Sequence, residues 1–262
     1  MAQVLHDSLR KKGVGGFDKS EENLMKQLYI DNLPKHIALI MDGNGRWAQK
    51  RKMPRNVGHK YGAEALKKIV MFCNEINIQI LSVYAFSTEN WRRPKTEVDM
   101  LMKLLIEYLQ REIDLLNRNN IRLEVSGDME YLPVEVRSAV QKGKEVSKFN
   151  TGLILNVALN YGGRDEIARA ARQIAEKVKN GEYNIQEIDK TLMEKHLYTS
   201  SLGDPELLIR TSGERRLSNF LLWQLAYTEL FFTDILWPDF DRIHLLEALC
   251  SYQKRERRFG GI

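Results

Sequence analysis

The chain is poor in cysteine. Two stand among 262 residues, Cys73 and Cys250, and both fall in stretches with helical spacing. They form neither a disulfide framework nor a metal-ligand spacing, so a reducing, cytoplasmic setting is the expectation. Long apolar runs are missing too. No stretch reaches the roughly 18 residues of a membrane-spanning helix, and the nearest, 220–236, is interrupted by Glu229 and Asp234. Residues 1–12 carry charge with no apolar segment behind them, so no signal peptide is expected. There is no Pro/Gly/Ser-rich linker, no break in composition, no internal repeat and no G-x-x-x-x-G-K-S/T phosphate loop. These absences predict one domain over residues 21–262, behind a polar, flexible arm at 1–20. Nor is the charge one-sided: 40 Lys+Arg stand against 35 Asp+Glu, a net charge of +5. That balance suits anionic ligands. Nucleic acid is not expected as a partner, because the informative arginines stand at strand ends and no aromatic–basic interleaving is present.

What is present begins at residues 36–47, HIALIMDGNGRW. The apolar run 37–41 reads as a strand buried on both faces. Asp42 follows where that strand would end, then two glycines around Asn44, then Arg46 and Trp47. In open α/β sheets the crevice beyond the strands' C-terminal ends is where ligands bind. Further strands are predicted near 78–86, 121–125, 153–159, 207–209 and 229–236. Helical spacing is predicted near 58–76, 94–120, 133–149, 167–178, 185–197, 218–225 and 241–257. The alternation predicts an α/β fold with a mostly parallel sheet of about six strands flanked by helices. The apolar stripe of the 94–120 helix is wider than one sheet face needs.

Four strand ends carry polar clusters: 42–46, 87–90, 160–164 and 210–218. Any one alone is a polar loop; four on one sheet edge favour a site. Gly43-x-Gly45-x-x-Ala48 fits part of a dinucleotide fingerprint. The acidic residue that should follow about 20 positions later is missing, however, and Asp42 would face the pyrophosphate. An EF-hand fails because Arg46 occupies the fifth position. A diphosphate with a divalent metal fits better. Asp42 supplies a hard oxygen ligand, and the N–H groups of residues 43–45 with Arg46, Arg55 and His59 supply donors. Arg210, directly after a buried strand, forms a second anion site with Arg216 and Ser218, which precede the expected 218–225 helix. Glu229, inside an apolar run, either pairs with an arginine or holds a metal, and spacing leaves the two even.

Five motifs in order resemble those of the cis-prenyltransferases, in particular the bacterial undecaprenyl diphosphate synthases. They are 36–47, 84–94 (YAFSTENWRRP), 159–164 (LNYGGR), 204–213 (DPELLIRTSG) and 216–241, and the resemblance covers residues 36–261. It implies a single α/β domain with a hydrophobic tunnel, working as a Mg²⁺-dependent homodimer. The implied reaction is sequential cis condensation of isopentenyl diphosphate onto an allylic diphosphate, usually farnesyl diphosphate. The implied product is a long polyprenyl diphosphate such as undecaprenyl diphosphate, a lipid-carrier precursor for cell-wall synthesis, released with a peripheral membrane contact.

Residue by residue, the resemblance implies Asp42 as the aspartate that binds metal and diphosphate. It implies Gly43, Asn44, Gly45, Arg46, Arg55 and His59 as the allylic-diphosphate site, and Arg210, Arg216 and Ser218 as the isopentenyl diphosphate site. Glu229 becomes the second metal carboxylate, at the dimer interface. Asn90 becomes a catalytic residue in proton removal, within a substrate loop of Ser87, Thr88, Glu89, Trp91 and Arg93, and Trp47 lies by the substrate. Arg258-Phe259-Gly260 would complete the partner subunit's site. Because Asn90 is a weak base, a diphosphate oxygen or water stays open as proton acceptor. The presence of Asp42 argues against a noncatalytic partner subunit of the same fold, and the absence of D-D-x-x-D against the trans class. Product length is not readable, with Ala85, Leu105 and Leu153 as hypothetical lining positions.

Overall fold

The apolar runs become the strands of one sheet. In the computed structural model, which describes residues 3–255, the strands are β1 (His36–Ile40), β2 (Ile80–Ser87), β3 (Arg122–Ser126), β4 (Ile154–Tyr161), β5 (Leu207–Arg210) and β6 (Glu229–Phe232). The order across the sheet is β3-β4-β2-β1-β5-β6, and every pairing is parallel. The helices are α1 (Leu5–Lys11), α2 (Lys19–Met25), α3 (Asn44–Lys50), α4 (Arg55–Glu75), α5 (Lys95–Arg118), α6 (Val134–Ser147), α7 (Gly163–Lys179), α8 (Lys190–Lys195) and α9 (Arg242–Gln253). From β1 the chain adds β2 alongside, crosses to the edge strand β3 and comes back to place β4 between β3 and β2. It then returns to add β5 and β6 on β1's other side. The order therefore reverses between β1 and β5, and a crevice opens beyond their C-terminal ends.

Because side chains alternate along a strand, the sheet has two unlike faces. On the first, Ile37 and Leu39, Leu81 and Val83, Leu155 and Val157, and Leu207 and Ile209 enter one large core. That core also holds Ile69, Val70 and Phe72 of α4, Leu109 and Leu116 of α5, and Leu245 and Leu249 of α9. Each such side chain, fully buried, is worth roughly 1.5–3 kcal/mol. The second face carries a smaller apolar cluster of Ala38, Ile40, Ala158 and Leu208 under Tyr161, Phe220, Leu221 and Leu225.

Beside that cluster runs a buried polar chain across four strands. Ser126 Oγ donates to Asn156 Oδ1 (2.9 Å), and Asn156 Nδ2 donates to Ser82 Oγ (2.9 Å). Ser82 Oγ lies 2.8 Å from His36 Nε2, and His36 Nδ1 lies 3.0 Å from the Gly203 carbonyl. Burial pushes the His36 pKa down to about 4, so its ring is neutral. The carbonyl can only accept, which fixes the proton on Nδ1 and leaves Nε2 to accept from Ser82. The Asn156 that interrupts an otherwise apolar strand is thereby satisfied, as a fully buried amide must be.

Two irregularities sit at the sheet's C-terminal edge. Tyr84 pairs with Ala158, Phe86 with Leu159 and Ser87 with Tyr161. Ala85 and Asn160 are thus left unpaired, and Asn160 adopts φ +47°. Bulges of this kind re-aim a strand end, often beside a site.

Two stretches differ from expectation. The sequence predicts a flexible arm without an element over residues 1–20, yet α1 lies there with Leu5 and Leu9 each 1% exposed in the core. Seven residues are too few for periodicity to register. Residues 218–225 are a chain of turns instead of a helix. Ser218, Asn219 and Leu221 all have positive φ, and one helix-type bond, Leu225 N–H to the Leu221 carbonyl, survives. The bend sends Phe220 inward to stack on Tyr84, with ring centroids 4.4 Å apart. The expected helix dipole at Arg216 and Ser218 is therefore absent, and the site must draw its charge from side chains.

Candidate active site

Asp42 lies two residues past the end of β1, and Arg210 ends β5. Their strands are joined at this edge by Thr211, whose Oγ1 accepts from the Asp42 N–H (3.0 Å) and donates to the Asp42 carbonyl (2.6 Å). Arg210 is 3% exposed. Its Nη2 donates to Asp42 Oδ2 at 3.0 Å, and its Nη1 donates to Ser218 Oγ at 2.8 Å and to the Arg216 carbonyl. Burial alone would raise the Asp42 pKa. The hydrogen bond and charge of Arg210, with Arg46 behind it, outweigh that and hold the carboxyl below its usual range. At neutral pH it is a carboxylate.

Gly43 then turns the chain into α3. Its φ is +109°, and an added Cβ would meet Leu236 Cδ2 at 3.0 Å and Ser212 Cβ at 3.1 Å, so both conformation and space require glycine. The N–H groups of Asn44, Gly45 and Arg46 come next, at a helix start where no intrahelical acceptor exists. Arg46 is aimed by Ser212, donating from Nη2 to Oγ (2.6 Å) and from Nη1 to the carbonyl (3.1 Å). It also pairs with Glu214 at 3.3 Å. Arg55 begins α4 and lays its guanidinium on Gly45, where a Cβ would meet Cζ at 3.1 Å. One turn on, His59 is pushed down to about 4 by burial first and the Arg93 charge second. Its Nε2 is buried without a hydrogen-bond partner, as are Asn44 Oδ1 and Arg210 Nε.

Asp42, Asn44, His59, Arg210, Arg216 and Ser218 line a cleft of about 620 Å³. The 3₁₀ turn Thr88–Arg92 forms its far wall. Asn90 Oδ1 accepts from the Ser87 N–H at 3.1 Å, which fixes that side chain. Glu89 accepts from Asn219 Nδ2 at 2.8 Å. Burial opposes its ionisation, and the Asn219 bond with its neighbours outweighs this and lowers the pKa. Sharing Met41, Asn44, His59, Ala85 and Leu101 with the cleft is a second, apolar pocket of about 130 Å³. Leu66 of α4, Leu105 and Tyr108 of α5, and Trp237 line its depth. The over-wide stripe of α5 faces this space.

The structure thus brings together Asp42, Asn44, His59, Ser87, Glu89, Asn90, Arg93, Arg210, Arg216 and Ser218 on one cleft; Gly43, Gly45, Arg46 and Arg55 do not line it, though Arg46 lies 3.5 Å from Asp42 and Arg55 against Gly45. It places four expected residues elsewhere. Trp47 is 4% exposed, donates to Asp239 at 2.6 Å and lies under the Arg51 guanidinium. Thr88 donates to Asp165 and Trp91 to Asn160, and both line a separate groove behind the turn. Glu229 opens β6, at the far end of that strand from the cleft, and pairs with Arg255 at 2.6 Å. Arg258-Phe259-Gly260 lies outside the described residues. Sequence reasoning missed Thr211, Ser212, Glu97 and Glu214. The two hydroxyls stand inside a motif that was quoted for its arginine, and Glu97 reads as an ordinary acidic residue in a helix's first turn.

No cluster of three or more metal-ligating side chains occurs among the described residues. The donor set nonetheless fits Mg²⁺ presented by a phosphate, which takes one or two carboxylates and fills the rest with phosphate oxygens and water. Asp42 is such a carboxylate, ionised and 30% exposed to the cleft.

A family model described as putative undecaprenyl diphosphate synthase matches residues 40–260. An isoprenyl transferase of Geobacillus kaustophilus is 56% identical over 230 residues, 88% of this chain and 90% of that one. An isoprenyl transferase of Bacillus subtilis is 52% identical, covering 93% and 92%. Among solved structures, lavandulyl diphosphate synthase from Lavandula x intermedia, in complex with dimethylallyl diphosphate, superposes with a TM-score of 0.86. It is 39% identical, over 88% of this chain and 99% of that one. A probable undecaprenyl diphosphate synthase from Campylobacter jejuni gives a TM-score of 0.72 at 34% identity, over 87% and 98%.

Proposed function

The chain belongs to the cis-prenyltransferase family of isoprenyl chain-elongating enzymes, and on that premise we propose that it adds isopentenyl diphosphate units in cis to farnesyl diphosphate. The proposed product is a polyprenyl diphosphate of the undecaprenyl class, a lipid-carrier precursor for cell-wall synthesis. One observation carries the reading: the 3.0 Å Asp42–Arg210 pair, which stands between two separate sets of anion donors and next to an apolar pocket.

The allylic diphosphate belongs at the start of α3, with Arg46 and Arg55, and its hydrocarbon in the pocket between α4 and α5, which would be the mouth of the family's tunnel. The isopentenyl diphosphate belongs with Arg210, Arg216 and Ser218. Holding both heads on fixed donors turns a meeting of two substrates into a step within one complex. As the alkene attacks, the allylic C–O bond breaks and its electron pair goes to the leaving diphosphate. Arg46 and Arg55 are the proposed donors that bind that growing charge more tightly than the ground state, which lowers the barrier. Mg²⁺, held by Asp42 and phosphate oxygens, would supply further charge neutralisation there. A proton then leaves the new chain. Asn90 Oδ1 is engaged by the Ser87 N–H, which suits Asn90 to orienting the acceptor, with a diphosphate oxygen as the acceptor itself.

The homodimer implied by the resemblance suits Glu229. It is too far along β6 to share a metal with Asp42 of its own chain, and β6 is an edge strand. A second subunit is the proposed source of the second carboxylate. Among the described residues no helix is long and apolar enough to cross a membrane, so the proposed membrane contact in the cytoplasm is peripheral. The decisive assay incubates the protein with farnesyl diphosphate, labelled isopentenyl diphosphate and Mg²⁺, then resolves products by length. A ladder ending near eleven isoprene units (roughly, as in the undecaprenyl class) is expected, and products of one or two additions would refute the long-chain assignment.

A further inference from the structure

Glu97 occupies the first turn of α5, and its side chain is 15% exposed. A single oxygen, Oε1, bonds Arg93, pairs with Arg55 and has the unbonded His59 Nε2 at the edge of its reach. Arg93 Nη1 is 3.0 Å away, Arg55 Nη2 3.5 Å and His59 Nε2 4.0 Å. These come from three places in the chain: the end of the 3₁₀ turn, the start of α4 and one turn further along α4. Arg93 at i−4 accounts for an ordinary helix-start pair. The convergence of Arg55 and His59 on the same oxygen is not explained that way. Both also stand beside the α3 start, Arg55 by its contact with Gly45 and His59 by lining the same cleft as Asn44.

An arriving diphosphate needs these donors. A carboxylate and a phosphate oxygen cannot share them cheaply, because two like charges at hydrogen-bond range repel strongly in a partly desolvated cleft. Building on the diphosphate-site reading above, we infer that Glu97 is an internal competitor. It occupies the Arg93 and Arg55 guanidinium groups in the free protein and is displaced when a diphosphate binds. Starter affinity is then set partly by a residue that need not touch the starter. Glu97 is a positioning residue whose charge weakens head-group binding while its geometry prepares it.

Inorganic diphosphate is the probe, titrated calorimetrically into the full chain and its variants at fixed ionic strength. Glu97→Gln keeps the shape and removes the charge, and it should bind about 10-fold more tightly than the native protein. Glu97→Asp keeps the charge and should bind no more tightly than native. In steady-state kinetics Glu97→Gln should lower KM for the allylic substrate and leave KM for isopentenyl diphosphate unchanged. Unchanged or weaker diphosphate binding by Glu97→Gln, with native circular dichroism, overturns the inference, as does equal tightening by Glu97→Asp. If the native protein binds no inorganic diphosphate and Arg55→Ala changes nothing, the anion-site reading itself fails and takes the inference with it.

Discussion

On one face of the sheet Leu39, Val83, Val157 and Ile209 enter the large apolar core; on the other, His36, Ser82, Asn156 and Ser126 are strung on hydrogen bonds. An apolar face specifies little beyond volume, and cores accept volume-conserving exchange at small cost. A hydrogen-bonded row specifies alignment, since a slip of one strand would strand several buried polar groups at once. The cleft draws on both. Its apolar pocket opens towards the first face, among Phe86, Leu105 and Leu159, while Arg210 projects on the side of Ile40 and Leu208. Under the proposed function, hydrocarbon and diphosphate would be received by opposite faces of one sheet, with Asp42 where the two meet.

The test with the largest expected effect strikes that meeting point. Asp42→Asn retains shape and one acceptor for Arg210, yet condensation should fall by ~10²–10³ or more, with the circular dichroism spectrum unchanged. Near-native turnover would end the division of labour between the faces. Next, Leu155→Ala on the apolar face should cost about 2–5 kcal/mol, read from the denaturant midpoint. A loss below about 1 kcal/mol would mean that the first face is not the chief store of stability.

The third test uses acid. His36 and His59 both have pKa values near 4 in the fold against 6.5 when free. The unfolded chain therefore binds their protons first as pH falls. Their contribution is complete above pH 6.5, declines by about 1.4 kcal/mol per pH unit for each ring below it, and is spent near pH 4. Unfolding free energies measured from pH 7 to pH 4.5 should show this slope, and His36→Gln should remove about half of it. A variant with the native slope would show that the polar row does not depend on a neutral ring. The mildest test is Thr211→Val, which deletes a hydroxyl bound to both ends of the Asp42 backbone. A loss of about 1 kcal/mol is expected in thermal denaturation, with turnover reduced less than in Asp42→Asn.

Much of this was legible in the linear chain. The run before Asp42, the alternation of strands and helices, and the wide stripe of α5 are local patterns, and local patterns are what periodicity records. The Asp42–Arg210 contact was not legible, because it joins residues far apart in sequence and depends on β5 lying beside β1. The 218–225 turns misled for a different reason. Leu, Trp and Gln there have helical spacing, and the contact of Phe220 with Tyr84 overrides it through three left-handed residues. Trp47 and Trp91 belong to motifs whose resemblance implies a place by the substrate, and a motif does not say which way a ring turns. Glu97 could have been suspected from its position four residues after Arg93, but not its convergence with Arg55 and His59.

Ala85 and Asn160 act on the fold as an inserted letter acts on a reading frame. Before them, even-numbered residues of β2 and β4 belong to the polar face and odd-numbered ones to the apolar core. After them the parity inverts: Phe86 is even and lies in the core, and Tyr161 is odd and lies in the opposite cluster. Pairing Ala85 in register, with no bulge, would keep the earlier frame and turn Phe86 towards the anion donors and Ser87 into the apolar side. The 3₁₀ turn that follows Ser87 is in phase with the cleft because each of these two strands carries one residue more than its ladder can pair.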